Sequence, residues 1–217
     1  MRSGTMNNQT KWSKSWGGVV RCFESKPTLL PGGFTFNLKE LPLSGNVLPA
    51  GTPVYCDESA EKRTITPLYL FEVKAVDNEN SKVSVAKGFE GTRAKVGMEL
   101  IILGSDLSVA ASDSAKVTEI DSSASDVDVL KLSTMPSGIS VGKVLSEATA
   151  EKKVKVVPNA LTPYDTCVDE DSFACDGEGA FAVYSTPILE RRIPILPDVI
   201  KKALRENDCF FRFSKRK

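Results

Sequence analysis

The densest group of residues that could do chemistry is an acidic stretch between residues 165 and 178. Its members are Asp165, Asp169, Glu170, Asp171, Asp176 and Glu178. Carboxylate oxygens at such density are the ligands that Ca²⁺ prefers. The stretch lacks the Asp-x-Asp-x-Asp-Gly spacing of an EF-hand loop, however. The pattern therefore favours a solvated surface loop, and we assign no metal ligand and no cofactor.

Catalytic chemistry is limited by the absence of histidine from the sequence. Without histidine, Ser-His-Asp and Cys-His triads are excluded, whereas Ser-Lys pairs, carboxylate pairs and carboxylate-only metal sites remain open. The glycine pairs Gly17-Gly18 and Gly32-Gly33 lack the Lys-Ser/Thr of a phosphate-binding loop. We find no reason to nominate a catalytic residue, and the composition predicts a protein that is not an enzyme.

The cysteines indicate a reducing compartment. The 5 cysteines are scattered, and no Cys-x-x-Cys pair supports a zinc ribbon or a thioredoxin-like site. Cys167 and Cys175 flank the acidic stretch and could pair if oxidised, but two free thiols are favoured. The polar N-terminus has no apolar segment typical of a secretory signal, and no run has the length of a membrane span. We therefore expect cytoplasmic synthesis and no membrane partner.

Two basic clusters could contact a negatively charged partner. They are Arg191-Arg192 and residues 212–217. No nucleic-acid motif accompanies them, and the whole chain is balanced, with 28 basic and 28 acidic residues. An acidic protein surface is thus the favoured target of Arg191 and Arg192, and no specific nucleic-acid partner is expected.

The first 38 residues are predicted to form an extended N-terminal arm. Trp12 and Trp16 stand out in this polar segment and need a surface to bury against, either on a neighbouring subunit or on the protein's own core. Phe34 begins an apolar–polar alternation that is typical of a half-buried strand. We nominate Trp12, Trp16 and Phe34 as apolar anchors for a partner, with Arg191 and Arg192 as surrounding charges.

A phrase that occurs twice predicts the architecture. Gly51 precedes an Ala-Glu-Lys tripeptide and then Pro67, and Gly142 precedes the same tripeptide and then Pro158 at the same distance. Each copy ends in a strand-like run, so the pattern predicts two related hairpin units. The alternative is chance recurrence of common turn residues.

The remaining pattern is almost entirely strand-like. Residues 68–87 predict a hairpin around a turn cluster at 77–80, and residues 98–103 predict a buried strand. Residues 105–115 are rich in Ala and Ser, so a helix there is an alternative. One short helix is predicted near 197–206 from an apolar stripe. We expect an all-β fold, with a main domain of residues 39–98 and 143–217 and a small inserted β-barrel-like segment at 99–142.

Several phrases carry a resemblance to a known class of proteins. They are the stretch "LPAGTPV" (48–54), "KVTEID" (116–121) with "DVDVL" (126–130), "GKVL" (142–145) with "VPNALT" (157–162), and "ILPDVIKKAL" (195–204). Together they resemble the head-fibre and head-decoration proteins of tailed phages, including those of the Bacteroides type. The resemblance covers about residues 40–205 and leaves out the arm and the phenylalanine-rich end.

The resemblance implies a non-enzymatic virion protein on the outside of a capsid. Its expected partner is the lattice of the major capsid protein, and its expected state is a homotrimer. The resemblance leaves open whether the protein cements the shell or anchors a fibre. The alternative is a carbohydrate-binding β module that attaches to host or mucosal glycans. Its aromatic candidates are Tyr55, Tyr69, Tyr164 and Tyr184, of which Tyr55 and Tyr69 lie in runs that suggest burial.

Overall fold

The computed structural model describes ten parts of the chain, namely residues 22–23, 28–30, 34–36, 40–42, 47–59, 63–88, 90–167, 175–177, 180–181 and 186–214. The strands are β1 (Thr28–Leu29), β2 (Phe34–Phe36), β3 (Val47–Leu48), β4 (Pro53–Cys56), β5 (Thr64–Pro67), β6 (Leu70–Asp77), β7 (Lys82–Ala86), β8 (Glu99–Ile102), β9 (Ala115–Asp121), β10 (Val127–Leu132), β11 (Val144–Glu147), β12 (Ala160–Leu161), β13 (Thr166–Cys167), β14 (Cys175–Gly177), β15 (Ala180–Phe181), β16 (Thr186–Leu189) and β17 (Phe211–Ser214). A 3₁₀ turn (Glu190–Arg192) and one α-helix, α1 (Asp198–Glu206), complete the elements of the described residues.

Six strands close a barrel in the order β6, β7, β10, β9, β8 and β11, and β11 pairs back onto β6. All of these pairs are antiparallel. Buried residues alternate with exposed ones along β7 and β9, because one face of each strand lines the core. Closure leaves none of the six strands as an open edge.

The second layer is a seven-stranded sheet in the order β1, β15, β12, β4, β5, β2 and β14. Its pairs are antiparallel except β2 with β5, which is parallel. One continuous apolar cluster joins this sheet to the barrel, since Phe36 and Ile65 of the sheet belong to the same cluster as Val73 and Leu130 of the barrel. The two layers therefore share a core.

A second apolar cluster holds the C-terminal part of the chain. Ile200 and Leu204 of α1 are completely buried there, together with Ile188 of β16. Phe211 of β17 packs on Phe23, with ring centroids 5.8 Å apart. A helix of this length is marginal alone, so this packing stabilises it.

The sequence predictions for individual elements are largely confirmed. The fold is all-β with one short helix, and α1 begins after Pro197, as the apolar stripe predicted. β6 and β7 form the predicted hairpin, and β8 is the predicted buried strand. The Ala/Ser-rich residues 105–114 do not form a helix. They form bends and irregular structure until β9 begins at Ala115.

The two copies of the repeated phrase share a local geometry but enter different sheets. Gly51 and Gly142 have φ angles of +80° and +84°, which favour glycine. The first copy forms the β4–β5 hairpin. The second contributes β11 to the barrel, and its return segment pairs with the end of β11 at the isolated bridge Ala148–Val154 without forming a strand of its own.

The barrel also bears on the predicted insertion at 99–142. Strands β8, β9 and β10 come from that segment, whereas β6, β7 and β11 come from the segments on either side of it. Residues 99–142 thus supply three strands of a closed barrel, but they need β6, β7 and β11 from the flanking segments to close it. The division of the chain into domains stays a prediction.

Candidate functional site

A cleft of 390 Å³ lies where the barrel meets the segment before α1. We call it the Arg93 cleft. It is lined by Pro49, Glu72, Ala86, Lys87, Gly88, Glu90, Arg93, Arg191, Arg192, Ile193, Pro194 and Ile195. The lining combines four cationic side chains and two carboxylates with an apolar wall. This volume is within the range of small-ligand sites.

Arg93 is the buried cation of the cleft. The residue is 6% exposed, and its guanidinium carbon lies 5.7 Å from the centroid of the Phe71 ring. Its polar contacts run through Nη2, which lies 3.4 Å from Glu90 Oε1 and 3.5 Å from the carbonyl oxygen of Leu70. Both contacts are long for charged hydrogen bonds, and a guanidinium carries five N–H donors. Arg93 therefore has donors left for a further acceptor.

The other charges of the barrel side are paired. Lys87 Nζ lies 3.0 Å from Asp128 Oδ1, and both side chains are less than one-tenth exposed. Glu72 is bound by Lys74 at 2.8 Å. Buried charges persist when they are paired in this way. The pairs neutralise Lys87 and Glu72, so the charge that the cleft offers to a ligand comes mainly from its arginines.

The apolar wall of the cleft depends on the turn at Gly51. A β-carbon on Gly51 would overlap the side chain of Ile193, so only glycine allows Ile193 to pack against this turn. The turn is held by the amide of Ala50, which donates to Asp165 Oδ1 at 2.7 Å, and by the amide of Thr52, which donates to Thr162 Oγ1 at 3.0 Å. Ile193 directly follows the 3₁₀ turn that carries Arg191 and Arg192, so this packing also positions the two arginines.

The structure brings together only part of the predicted contact set. Arg191 and Arg192 both line the cleft, and both are exposed. Phe34 is 3% exposed and packs inside the core shared by sheet and barrel, so it is not a surface anchor. The apolar–polar alternation from Phe34 correctly predicts a half-buried strand. The nomination of Phe34 as a contact for a partner does not fit, because Phe34 lies on the side of the strand that faces the core. Trp12 and Trp16 lie outside the described residues.

Comparison with known proteins adds no relative. No family model, no curated protein and no solved structure matches this chain.

A second charged cluster lies apart from the Arg93 cleft. Lys155 Nζ is bound by Glu147 Oε1 at 2.7 Å and by Glu40, and the hydroxyl of Tyr69 donates to the carbonyl oxygen of Glu40 at 2.6 Å. Burial raises the pKa of Glu147, although the bond to Lys155 opposes the shift. The second oxygen of Glu147, Oε2, is buried without a partner among the described residues. The cluster joins three separate segments of chain, but none of its members lines the cleft.

One motif of hydrolases occurs in the sequence without its structural context. Residues 138–142 have the spacing Gly-x-Ser-x-Gly. In hydrolases this motif forms a sharp strand-to-helix turn with a histidine partner. Here Ser140 lies in an exposed loop between β10 and β11, and the chain has no histidine. The motif is therefore not a nucleophile elbow.

The remaining candidates for chemistry are weak. No group of three or more metal-ligating side chains occurs in the described part of the chain. Cys22, Cys56 and Cys209 are buried and form no disulfide bond. Burial raises the pKa of Cys22 and of Cys56 to about 12, so both stay protonated at neutral pH. The side chains of Cys167 and Cys175 and most of the acidic stretch lie outside the described residues.

No described helix has the length and hydrophobicity needed to span a lipid bilayer.

Proposed function

We propose that this protein is a structural virion protein that binds the outer surface of a phage capsid, as a head-decoration or fibre-anchoring protein. In this role its partner is the lattice of the major capsid protein, and it acts as a homotrimer. The proposal starts from the phrases that resemble head-fibre and head-decoration proteins of tailed phages.

The observation that carries the proposal is the position of the phrase at residues 48–54. In the structure this phrase forms the end of β3, the turn at Gly51 and the start of β4. The turn packs against Ile193 and is hydrogen-bonded to Asp165 and Thr162. The residues that carry the resemblance thus form a turn that connects β3 and β4 and contacts the segments around Asp165 and Ile193. We take this agreement between local sequence and fold as support for the resemblance.

The charge distribution supports attachment to a protein surface. Arg191 and Arg192 sit side by side on an exposed turn next to an apolar wall that includes Ile193 and Pro194. Arginine beside apolar side chains is typical of protein interfaces. The N-terminal arm, with Trp12 and Trp16, is the second proposed contact.

Co-sedimentation with capsids tests the proposal. The capsids are assembled from the major capsid protein encoded nearest to the gene of this protein. The wild-type protein should sediment with them, and the Trp12→Ala/Trp16→Ala double variant should be lost from the pellet while its unfolding midpoint stays unchanged. The proposal fails if the wild-type protein stays in the supernatant. If the double variant remains at full occupancy, the arm is not a contact.

One observation favours the carbohydrate-binding alternative. Tyr55 is 41% exposed on β4, although the sequence suggested burial, and Tyr164 is 53% exposed. Tyr69 is buried as expected. Exposed aromatic rings can stack on sugars because they present an apolar face. A glycan array decides between the two functions: binding that Tyr55→Ala abolishes and Phe210→Ala preserves would support the alternative, since Phe210 is a comparably exposed aromatic residue.

A further inference from the structure

We infer that the Arg93 cleft binds a carboxylate of an acidic peptide segment from a partner protein. The inference does not rest on the capsid proposal, because it concerns the chemistry of the cleft and applies to any partner that supplies such a segment.

The first step is the incomplete bonding of Arg93. Its side chain is 7% exposed, and its contacts with Glu90 and Leu70 both use Nη2. Burying a charged group is costly unless its hydrogen bonds are made. The Nε and Nη1 donors have no hydrogen-bond partner among the described residues, so they are available to a ligand in a cleft that Arg93 itself lines. The guanidinium carbon also lies over the Phe71 ring, 5.7 Å from its centroid.

The second step is the choice of a carboxylate. A carboxylate is the anionic acceptor that a peptide offers to a guanidinium N–H, and the bond between them is charge-assisted. Lys87, the other cation on the barrel side, is already bound to Asp128. Glu90 occupies only the Nη2 side of Arg93. An incoming carboxylate would therefore meet Arg93 at Nε or at Nη1, which lie on different sides of the guanidinium, and would gain one charge-assisted bond there.

The third step is the charge at the mouth of the cleft. Arg191 is exposed and forms no salt bridge with a described residue, and Arg192 lies beside it. Lys87 and Glu72 are neutralised by Asp128 and Lys74. Among the other described residues of the lining, three arginines, Arg93, Arg191 and Arg192, stand against the single carboxylate of Glu90. This excess attracts an anion and repels a basic segment.

The fourth step is the apolar wall, which argues for a peptide rather than a small inorganic anion. The apolar part of the lining includes Pro49, Ile193, Pro194 and Ile195. A free phosphate has no apolar group that could pack against this wall. A peptide can place the apolar side chains that flank an acidic residue there. The volume of 390 Å³ accommodates a few residues rather than a folded domain.

Fluorescence anisotropy with a synthetic probe tests the inference on the full chain. The probe is a fluorescein-labelled hexapeptide of alternating valine and aspartate, and its control has asparagine in place of aspartate. Both are titrated at physiological ionic strength, which screens nonspecific attraction. The acidic probe should bind at least about tenfold more tightly than the control, because charge-assisted hydrogen bonds are lost with asparagine. Equal binding of the two peptides, or no binding of the acidic one, would overturn the inference.

Two variants locate the binding. Arg191→Glu should weaken binding of the acidic probe by about tenfold or more, whereas Arg205→Glu, the same charge change on an exposed position of α1 outside the cleft, should change it less than about twofold. Arg93→Lys keeps the charge beside Glu90 but removes the separate Nε and Nη1 donors, and it should also weaken binding about tenfold. Equal losses in Arg191→Glu and Arg205→Glu would show general electrostatic attraction and overturn the inference, even if Arg93→Lys does not fold.

The same variants separate this inference from the proposed function. If Arg191→Glu loses the peptide but still sediments with capsids, the cleft serves another acidic partner and the inference holds. If the wild-type protein binds the peptide but never sediments with capsids, the capsid proposal fails and the inference still holds.

Discussion

Gly51 packs directly against Ile193, so closely that a β-carbon on Gly51 would overlap the isoleucine side chain. These two residues are far apart in sequence, and their contact joins the turn before β4 to the segment that carries Arg191 and Arg192. Gly51 also has a φ of +80°, whereas Gly142, its counterpart in the repeated phrase, has a φ of +84° and open space around it.

This pair of glycines provides the first prediction. Gly142→Ala should cost only backbone strain, about 1–2 kcal/mol. Gly51→Ala should cost the same strain plus overpacking against Ile193, which adds about 1–3 kcal/mol. Urea unfolding of both variants measures the difference. Equal losses would mean that Ile193 moves away freely and that the turn does not position the cleft.

The second prediction concerns the cluster around Lys155. Lys155→Met would leave Glu40 and Glu147 facing each other without their shared cation, and we expect a loss of about 3 kcal/mol in the free energy of unfolding. Lys202→Met is the matched control, since Lys202 forms an exposed pair with Glu206 at 3.6 Å and should lose less than about 0.5 kcal/mol. A loss in Lys155→Met as small as that of the control would contradict a structural role for the cluster.

The third prediction is a dependence of stability on pH. Burial raises the pKa of Glu147 in the folded protein, so folding strengthens proton binding at this carboxyl group. The contribution of the protonated group is fully present below the unfolded-state pKa, which is about 4.3, and is lost as the pH rises through the raised folded value. Glu147→Gln removes this titration. Its stability relative to the wild-type protein should therefore increase from about pH 4 to about pH 7.

Urea unfolding of both proteins across this pH range checks the third prediction. Asp165, whose pKa burial also raises, is present in both proteins and cancels in the comparison. A stability difference that stays constant or shrinks as the pH rises would contradict the assigned direction for Glu147.

The fourth prediction concerns thiol reactivity. Cys22 and Cys56 are 2% and 1% exposed, and burial raises the pKa of each thiol to about 12. Neither should react with a maleimide at neutral pH until the protein is unfolded in urea, because the thiolate is the reacting species. A Val141→Cys variant supplies a fast-reacting control, since Val141 is 65% exposed. Mass mapping of the labelled peptides identifies each site, and rapid native labelling of Cys56 would contradict the burial.

The elements that the sequence predicted well are those with a local signal. The stripe of Val199, Ile200, Ala203 and Leu204 marks the buried side of α1, because helical periodicity depends only on neighbouring residues. The turn at residues 77–80 marked the β6–β7 hairpin in the same way, and Asp77 accepts from the amide of Asn80 at 3.2 Å.

The barrel and the cleft lacked such a signal. Closure requires β7 to pair with β10 and β6 to pair with β11, and these partners are distant in sequence. The sequence does not point to Arg93, because a single arginine in a loop gives no sign that Phe71 and Glu90 lie against it in the fold. Arg191 and Arg192 are visible in the sequence as a basic pair, but only the fold shows the cleft beside them.

The packing of Phe211 on Phe23 has a consequence for biosynthesis. The second apolar cluster contains both Phe23 and Phe211, which are far apart in sequence. All six barrel strands lie between residues 70 and 147, so they leave the ribosome before β17 has been translated. Nascent chains should therefore acquire a protease-resistant barrel first, while the surface that later receives Phe211 stays open to chaperones until elongation passes this residue.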